Sequence, residues 1–293
     1  MSRLAANGAV YEVREAGEGT PLLLVHGFTG RGSSWGPHIP PLRRAGFRTI
    51  VVDLLGHGRS DTPEDPARYA VERQAEDLAV ILERLEATPA HIVGYSMGAR
   101  IALRLACERP ELVRRLVLEG GGAGIADPEA RATRRASDEA IADRLEREGI
   151  TAFVDYWESQ PIFAMERRLP EKFRSRRRAE RLHNAIPGLA ASLRGAGQGA
   201  QEPIHGLLGS LTAPTLLLVG ELDAPARARA DEIIAAAPNA EIRIEVIPHA
   251  GHATHIEKPA LFRKLVIDWL NDGEPDADLD LDLNHTVEGF ALA

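Results

Sequence analysis

Short runs of Val, Ile and Leu without polar alternation recur along the chain. They are Pro21–Val25, Thr49–Val52, His91–Val93, Leu116–Leu118, Pro214–Val219 and Ile242–Ile247. Strands that are buried on both faces have this composition. Helical patterns lie between most of them, namely Ser33–Ala45, Val71–Ala87, Met97–Arg109, Ala226–Ala236 and Pro259–Leu270. This alternation predicts an α/β fold, with helices on both faces of a mostly parallel sheet.

One long interval interrupts the alternation. The 95 residues between Leu118 and Pro214 contain helical patterns and no strand-like run. We therefore expect a helical cap inserted after a core strand. Near the N-terminus, the Asn7-Gly8 pair between two short strand patterns predicts a hairpin. The predicted organisation is a first core part (1–122), the cap (123–211), a second core part (212–271) and an acidic, disordered tail (272–293).

Composition and charge argue against several classes of protein. No window of 18 residues is apolar and free of charge, so we expect no membrane span. The N-terminus lacks the apolar segment of a secretory signal. The single cysteine, Cys107, cannot form an internal disulfide, which favours the cytoplasm.

The charges are unevenly distributed. The net charge is −8, and the tail from Asp272 carries seven acidic residues and no Lys or Arg. The stretch from Pro161 to Gln201 has nine Lys or Arg against three Glu, but it lacks the interleaved aromatics that stack on bases. We expect a small-molecule ligand and no nucleic acid. A monomer and a homodimer both remain open.

The most specific motif is Gly94-Tyr95-Ser96-Met97-Gly98, a G-x-S-x-G pattern between a strand and a helix. A bend this tight leaves no room for Cβ atoms beside the serine, which explains the flanking glycines. The bend exposes the hydroxyl at the start of a helix, where free N–H groups favour negative charge. Ser96 is therefore predicted to be catalytic.

A catalytic serine needs a histidine to accept its proton and an acid to orient that histidine. Asp223 follows the strand Pro214–Val219 at its C-terminal end, where sites in parallel sheets form. It is the predicted acid, and Glu221 and Glu119 are alternatives.

The predicted base is His252, one of three close histidines in PHAGHATHIE. It follows a glycine after the last strand, in a loop that can turn the imidazole toward the serine. The spacing of His249, His252 and His255 also suggests zinc ligands, but Pro248 and Gly251 disfavour the helix that such ligands need. We expect no metal.

An oxyanion is usually stabilised by backbone N–H groups. Met97, which follows the serine, is expected to donate one. Phe28, in the glycine-rich loop His26–Gly30, is expected to donate the other, because its glycine neighbours allow close approach. The segment Asp53–Ser60 (DLLGHGRS) is interpreted as a structural wall of the same pocket.

Taken together, HGF, DLLGHGRS, GYSMG, GELD and AGHATHIE resemble the α/β-hydrolase superfamily over residues 8–271. The resemblance implies an α/β-hydrolase fold, with a mostly parallel eight-stranded sheet and a helical cap. The cap segments YWESQPIF, RLHN, GLAASLRG and GQGAQ are similar to one branch. That branch is the 2-succinyl-6-hydroxy-2,4-cyclohexadiene-1-carboxylate (SHCHC) synthase family of menaquinone biosynthesis. Its serine motif is typically followed by Gly-Arg, where this chain has Ala99-Arg100.

The family resemblance implies a lyase without a cofactor. The triad of such an enzyme abstracts a ring proton from the polycarboxylate 2-succinyl-5-enolpyruvyl-6-hydroxy-3-cyclohexene-1-carboxylate (SEPHCHC), and pyruvate is eliminated. By resemblance, Arg100, Arg134 and Arg181 bind carboxylates, and Trp157 forms an aromatic wall. A guanidinium suits this role because it matches a carboxylate bidentately.

Two other functions remain open. A serine hydrolase, either a carboxylesterase or a C–C bond hydrolase, would use Ser96 as a nucleophile, but a general esterase does not need Arg100 or Arg134 facing its site. A ligand-binding protein on the same fold is disfavoured by the complete set of Ser96, Asp223 and His252.

Overall fold

A single sheet runs through the molecule. The structure, a computed structural model, describes residues 2–272, so the predicted acidic tail lies outside the described residues except for Asp272. Its strands are β1 (Ser2–Ala6), β2 (Ala9–Ala16), β3 (Thr20–Val25), β4 (Phe47–Val52), β5 (Ala90–Tyr95), β6 (Val113–Glu119), β7 (Thr215–Gly220) and β8 (Ile242–Ile247).

The spatial order of the strands is β1-β2-β4-β3-β5-β6-β7-β8. Pairing is antiparallel between β1 and β2 and between β2 and β4, and it is parallel from β4 to β8. Asn7 and Gly8 join β1 to β2 with φ angles of 45° and 84°, as a two-residue type I′ turn requires. The mostly parallel eight-stranded sheet is therefore confirmed.

Helices cover both faces of the sheet. They are α1 (Ile39–Arg44), α2 (Val71–Arg84), α3 (Met97–Glu108), α4 (Pro128–Ser159), α5 (Glu171–Leu182), α6 (Ile186–Ala196), α7 (Ala224–Ala236), α8 (Thr254–Glu257) and α9 (Pro259–Asn271). Successive strand residues point to opposite faces. Thus Ile92 packs in the layer under α2, α3 and α7, and Val93 packs in the layer under α1 and α9.

The first predicted helix, over Ser33–Ala45, differs from the structure. Gly32–His38 forms a 3-10 helix, and only Ile39–Arg44 is α-helical. Pro37 lies inside the 3-10 segment. Because proline lacks an N–H and disfavours a helical conformation in the residue before it, a continuous α-helix does not form here.

The insertion between β6 and β7 is helical, as expected. The long segment α4 is interrupted at Gly149, whose φ of 81° is not helical. The cap has an apolar cluster of its own, formed by Ala142, Leu145, Phe153, Val154, Leu189, Ala190 and Leu193. The 3-10 helix His205–Ser210 packs on α3 and α7 of the core. The exact domain bounds stay a prediction. Among residues 2–272, no helix is both long and apolar enough to span a membrane.

Candidate active site

Ser96 lies at the sharp junction between β5 and α3. Its φ of 52° and ψ of −108° are unusual for a residue other than glycine. A Cβ atom on Gly94 would lie 2.6 Å from the carbonyl oxygen of Gly98, and one on Gly98 would lie 2.4 Å from that of Val25. The backbone can therefore make this bend only with glycine on both sides of the serine.

The structure brings Ser96, His252 and Asp223 together from three distant segments. His252 Nε2 lies 2.9 Å from Ser96 Oγ, and His252 Nδ1 lies 2.5 Å from Asp223 Oδ2. The other carboxylate oxygen of Asp223 accepts the N–H of Ala226 at 3.1 Å. This is the hydrogen-bonded geometry of a serine–histidine–aspartate relay.

Asp223 is held in its charged form. Burial raises the pKa of this carboxyl group. The hydrogen bond from His252, the hydrogen bond from the Ala226 N–H and the Arg229 guanidinium outweigh burial and hold the pKa below its usual value of 3.8. An anionic Asp223 fixes the orientation of His252, so that Nε2 points at the serine.

The alternative acids contact other histidines. Glu221 accepts the backbone N–H of His249 at 2.8 Å. Glu119 accepts the backbone N–H of His255 at 2.9 Å, and its second oxygen lies 2.8 Å from His255 Nδ1. The structure therefore pairs only Asp223 with His252, and the three histidines have three separate partners.

Glu119 connects the two halves of the site, a role that sequence reasoning missed. Its carbonyl oxygen accepts the N–H of Ser96 at 2.8 Å. Its buried carboxylate accepts the Thr254 hydroxyl at 2.7 Å, two residues after His252. One residue thus anchors both the serine bend and the histidine loop. The only sequence signal was an acidic residue at the end of a central strand.

The loop His26–Gly30 lies directly against the serine. A Cβ atom on Gly27 would lie 3.2 Å from Ser96 Cβ. The loop is fixed by Thr29, whose N–H donates to His57 Nε2 at 3.2 Å. Burial lowers the pKa of His57 to about 3, so this ring is neutral and can accept the hydrogen bond. The segment Asp53–Ser60 thus supports the loop that lies against the serine.

The two expected oxyanion donors flank the serine. Met97 is the first residue of α3, and the first N–H groups of a helix have no partner within the helix. Phe28 follows Gly27 in the loop that touches Ser96. Its ring contacts Trp157 of the cap edge-on, with centroids 5.3 Å apart, and Trp157 stacks on Phe153 at 5.8 Å. The predicted aromatic wall therefore adjoins the predicted oxyanion loop.

Arg100 lies one helical turn after Ser96 and is only 7 % exposed. Its guanidinium donates to Gln201 Oε1 at 2.8 Å and to the carbonyl oxygen of Ala196 at 2.7 Å. Burial, together with the nearby charge of Arg134, lowers its pKa to about 10. No carboxylate in residues 2–272 forms an ion pair with it.

The other two predicted cations already have acidic partners. Arg134, with a side chain 38 % exposed, donates to Asp138 Oδ1 at 2.8 Å and to Gln198 Oε1 at 2.9 Å. Arg181 is buried and donates to Glu158 at 2.9 Å and to Glu166 at 2.8 Å. The charge of Arg181 is therefore matched within the cap.

The sequence matches a family model described as the alpha/beta hydrolase fold over residues 20–259. The chain belongs to the α/β-hydrolase family. It is 39% identical over 267 residues to a Bacillus subtilis protein that provisionally carries the name SHCHC synthase, covering 90% of this chain and 96% of the relative. It is 35% identical to SHCHC synthase of Salmonella paratyphi C, covering 82% of this chain and 89% of the relative.

A solved structure gives the same result. MenH from S. aureus superposes with a TM-score of 0.83 at 28% identity, covering 89% of this chain and 98% of that protein. The resemblance to the SHCHC synthase family, and the fold that it implies, are therefore confirmed.

Proposed function

We propose that this protein is an SHCHC synthase, a lyase that eliminates pyruvate from SEPHCHC. The observation that carries the proposal is a complete Ser96–His252–Asp223 relay one helical turn from Arg100, a buried cation that pairs with no carboxylate in the described chain. A polycarboxylate substrate would supply the missing anion. The similarity to proteins named SHCHC synthase supports the same activity.

The first step is a proton transfer. His252 Nε2 accepts the proton of the Ser96 hydroxyl, and Ser96 Oγ removes the ring proton next to the succinyl ketone. Asp223 stabilises the imidazolium that forms. The electron pair of the broken C–H bond moves toward the ketone, so negative charge develops on its oxygen.

The second step is the loss of the leaving group. The backbone N–H groups of Phe28 and Met97 stabilise the ketone oxyanion, as preorganised donors do in acyl transfer. When the electron pair returns, the ring C–O bond breaks and the enolpyruvyl group leaves as the enolate of pyruvate, which is protonated to pyruvate. The scheme uses no cofactor.

Substrate binding rests on cations and one aromatic side chain. Arg100 binds a carboxylate close to the serine, and Arg134 binds a second at the more exposed side. Trp157 packs on the substrate ring. For Arg181 a carboxylate-binding role stays a prediction, because two glutamates already neutralise it. A cytoplasmic location and the choice between monomer and homodimer also stay predictions.

A serine hydrolase is the second candidate, because the same relay activates a serine for nucleophilic attack. The two functions differ in what they require of the pocket. A carboxylesterase gains nothing from Arg100, whereas elimination from a polycarboxylate does.

The test compares the two reactions in one preparation. SEPHCHC is generated in situ, pyruvate release and the absorbance of the ring diene are followed, and an aryl ester is assayed in parallel. We expect fast elimination and feeble ester cleavage. Ser96→Ala and His252→Ala should each lower elimination by about 10³-fold or more.

The control is His249→Ala, because this side chain is 81% exposed and does not contact the serine. It should retain full activity. Brisk ester turnover without elimination would assign the protein to the hydrolases. Near-normal elimination in Ser96→Ala would contradict the mechanism.

A further inference from the structure

Arg229 reaches the active site from α7, although it was not among the predicted cations. Its Nε donates to the carbonyl oxygen of Gly121 at 3.3 Å, and a Cβ atom on Gly122 would lie 2.6 Å from its Cδ. The same segment contacts the catalytic base, since a Cβ atom on Gly120 would lie 2.7 Å from His252 Cε1. Three consecutive glycines, Gly120–Gly122, thus contact His252 at one end and Arg229 at the other.

The positive charge of Arg229 is poorly balanced. Its side chain is half-buried, and in the described part of the chain it forms no ion pair. Burial and the charge of Arg134 lower its pKa, against the effects of Asp223 and Glu232. Asp223 attracts Arg229 only at longer range than an ion pair and is hydrogen-bonded to His252, and Glu232 is largely exposed. Arg229 is therefore able to bind an additional anion.

A second observation points to the same side of the site. Gln201 is 1 % exposed, and its Oε1 accepts a hydrogen bond from Arg100. Its Nε2 is buried and has no hydrogen-bond partner in residues 2–272. A Cβ atom on Gly124 would lie 3.5 Å from this nitrogen. The segment from Gly120 to Gly124 thus has an unpaired cation near one end and an unpaired amide donor at the other.

An unsatisfied buried donor is normally eliminated from a protein interior, because burial removes its hydrogen bonds to water. Here Arg229 lies across the glycine segment from His252, and Gln201 is hydrogen-bonded to Arg100, one helical turn after Ser96. A ligand that brings only acceptor atoms would satisfy them.

The proposed substrate carries three carboxylates, according to its chemical name. Among the described residues, Arg100 has no acidic partner, Arg134 has one and Arg181 has two. One more cation is needed for a full match. We propose that Arg229 is a further substrate-binding residue, which with the amide of Gln201 recognises a carboxylate other than the one bound by Arg100. This inference rests on the proposed function for the identity of the substrate, but not for the class of ligand.

The test measures binding separately from turnover. Citrate, with three carboxylates, and benzoate, with one, are titrated calorimetrically into the wild type and into Arg229→Gln. We expect Arg229→Gln to weaken citrate binding by about tenfold, as the loss of a charge-assisted contact does. Benzoate affinity should change by less than about twofold. Arg229→Lys should keep most of the citrate affinity.

Arg227→Gln is the matched control, because Arg227 lies on the same helix but is exposed and pairs with Asp231. Citrate affinity equal in Arg229→Gln and Arg227→Gln would overturn the inference. So would an equal loss for both ligands, which would mean that Arg229 acts through Asp223 or the fold. Absence of citrate binding to the wild type would overturn it as well.

Turnover distinguishes the two proposals. Arg229-dependent citrate binding without elimination from SEPHCHC would leave the subsite intact and refute the synthase. If the protein eliminates pyruvate from SEPHCHC but its citrate affinity is the same in Arg229→Gln, only the subsite is refuted.

Discussion

Two arginines near the site are almost equally buried, yet their surroundings are opposite in charge. In the cap, Arg181 donates to Glu158 and Glu166, and these carboxylates raise its pKa although burial opposes them. In the core, Arg100 donates to Gln201 and to a peptide oxygen, and burial lowers its pKa to about 10. Arg181 thus pairs with two carboxylates, whereas Arg100 forms no ion pair in the part of the chain that the structure describes.

The difference indicates what each region does. A buried cation without an anion destabilises the fold, whereas a buried pair loses stability mainly when one partner is removed. The region around Arg181 is thus organised for the stability of the cap. Within residues 2–272, Arg100 keeps a buried charge without an ion-pair partner, which a carboxylate of a ligand can neutralise.

The largest effect is expected from Glu166→Gln in the cap. Glu166 lies 2.8 Å from Arg181 and 3.8 Å from Arg177, and all three side chains are largely buried. Removing the carboxylate leaves two buried cations with less compensation, so the free energy of unfolding should fall by about 3 kcal/mol. Urea unfolding at pH 7 measures this change. Glu171, an exposed residue that pairs with the exposed Arg174, serves as the control, and Glu171→Gln should change stability by less than about 0.5 kcal/mol.

The same variant has a predictable pH dependence. Burial raises the pKa of Glu166, but Arg177 and Arg181 outweigh it and hold the pKa below its usual value of 4.5. A group whose pKa is lower in the folded state contributes stability above its unfolded pKa, and this contribution is lost as the pH falls through the folded pKa. The stability difference between wild type and Glu166→Gln should therefore be complete at pH 7 and shrink below about pH 4.5. A difference that grows on acidification would contradict the assignment of charge.

A smaller effect is expected for Arg100→Gln, and it should appear in activity instead of stability. Loss of one charge-assisted contact to the substrate should lower kcat/KM for SEPHCHC about 30-fold, or about 2 kcal/mol. Stability should not fall, because the variant removes an uncompensated buried charge. Steady-state kinetics and urea unfolding of the same sample test both statements.

Arg104→Gln is the control on the same helix, since Arg104 pairs with Glu108 instead of lying beside the triad. It should leave kcat/KM unchanged. If Arg100→Gln lost stability and kept its activity, Arg100 would belong with Arg181 as a structural cation.

The parts of this molecule that follow from backbone rules were predictable. The carboxyl ends of parallel strands meet at one edge, so Ser96 after β5, Asp223 after β7 and His252 after β8 were expected to converge. The hairpin at Asn7-Gly8 needed only local turn chemistry. Where local rules conflict, as in the proline-containing segment Gly32–His38, the predicted helix was partly wrong.

The partners of charged side chains were not predictable, because they are set by packing between distant elements. The residues around Arg181 do not indicate that it binds Glu166. Those around Arg100 do not indicate that it donates to Gln201, 101 residues away. Arg229 was missed for the same reason, since a helix arginine is usually solvated. The sequence identifies cations, but only the fold shows which of them lack anions.

Arg134 gives the smallest expected effect and the sharpest test of the contrast, because it lies between the two extremes. Its side chain is 38 % exposed and shares its charge with Asp138. Solvent and this partner both weaken its attraction for a substrate carboxylate, so Arg134→Gln should lower kcat/KM only about fivefold. Stability should fall by no more than about 1 kcal/mol, because Asp138 still accepts the N–H of Gly199.

The neighbouring Arg135 provides the control, because it is 59% exposed and pairs with Glu139. Arg135→Gln should match the wild type in kcat/KM. If Arg134→Gln instead lost as much activity as Arg100→Gln, the absence of an acidic partner would not be what distinguishes a substrate-binding arginine in this site. The contribution of each cation would then have to follow from its distance to the substrate alone, and the paired Arg181 would become as strong a candidate as Arg100.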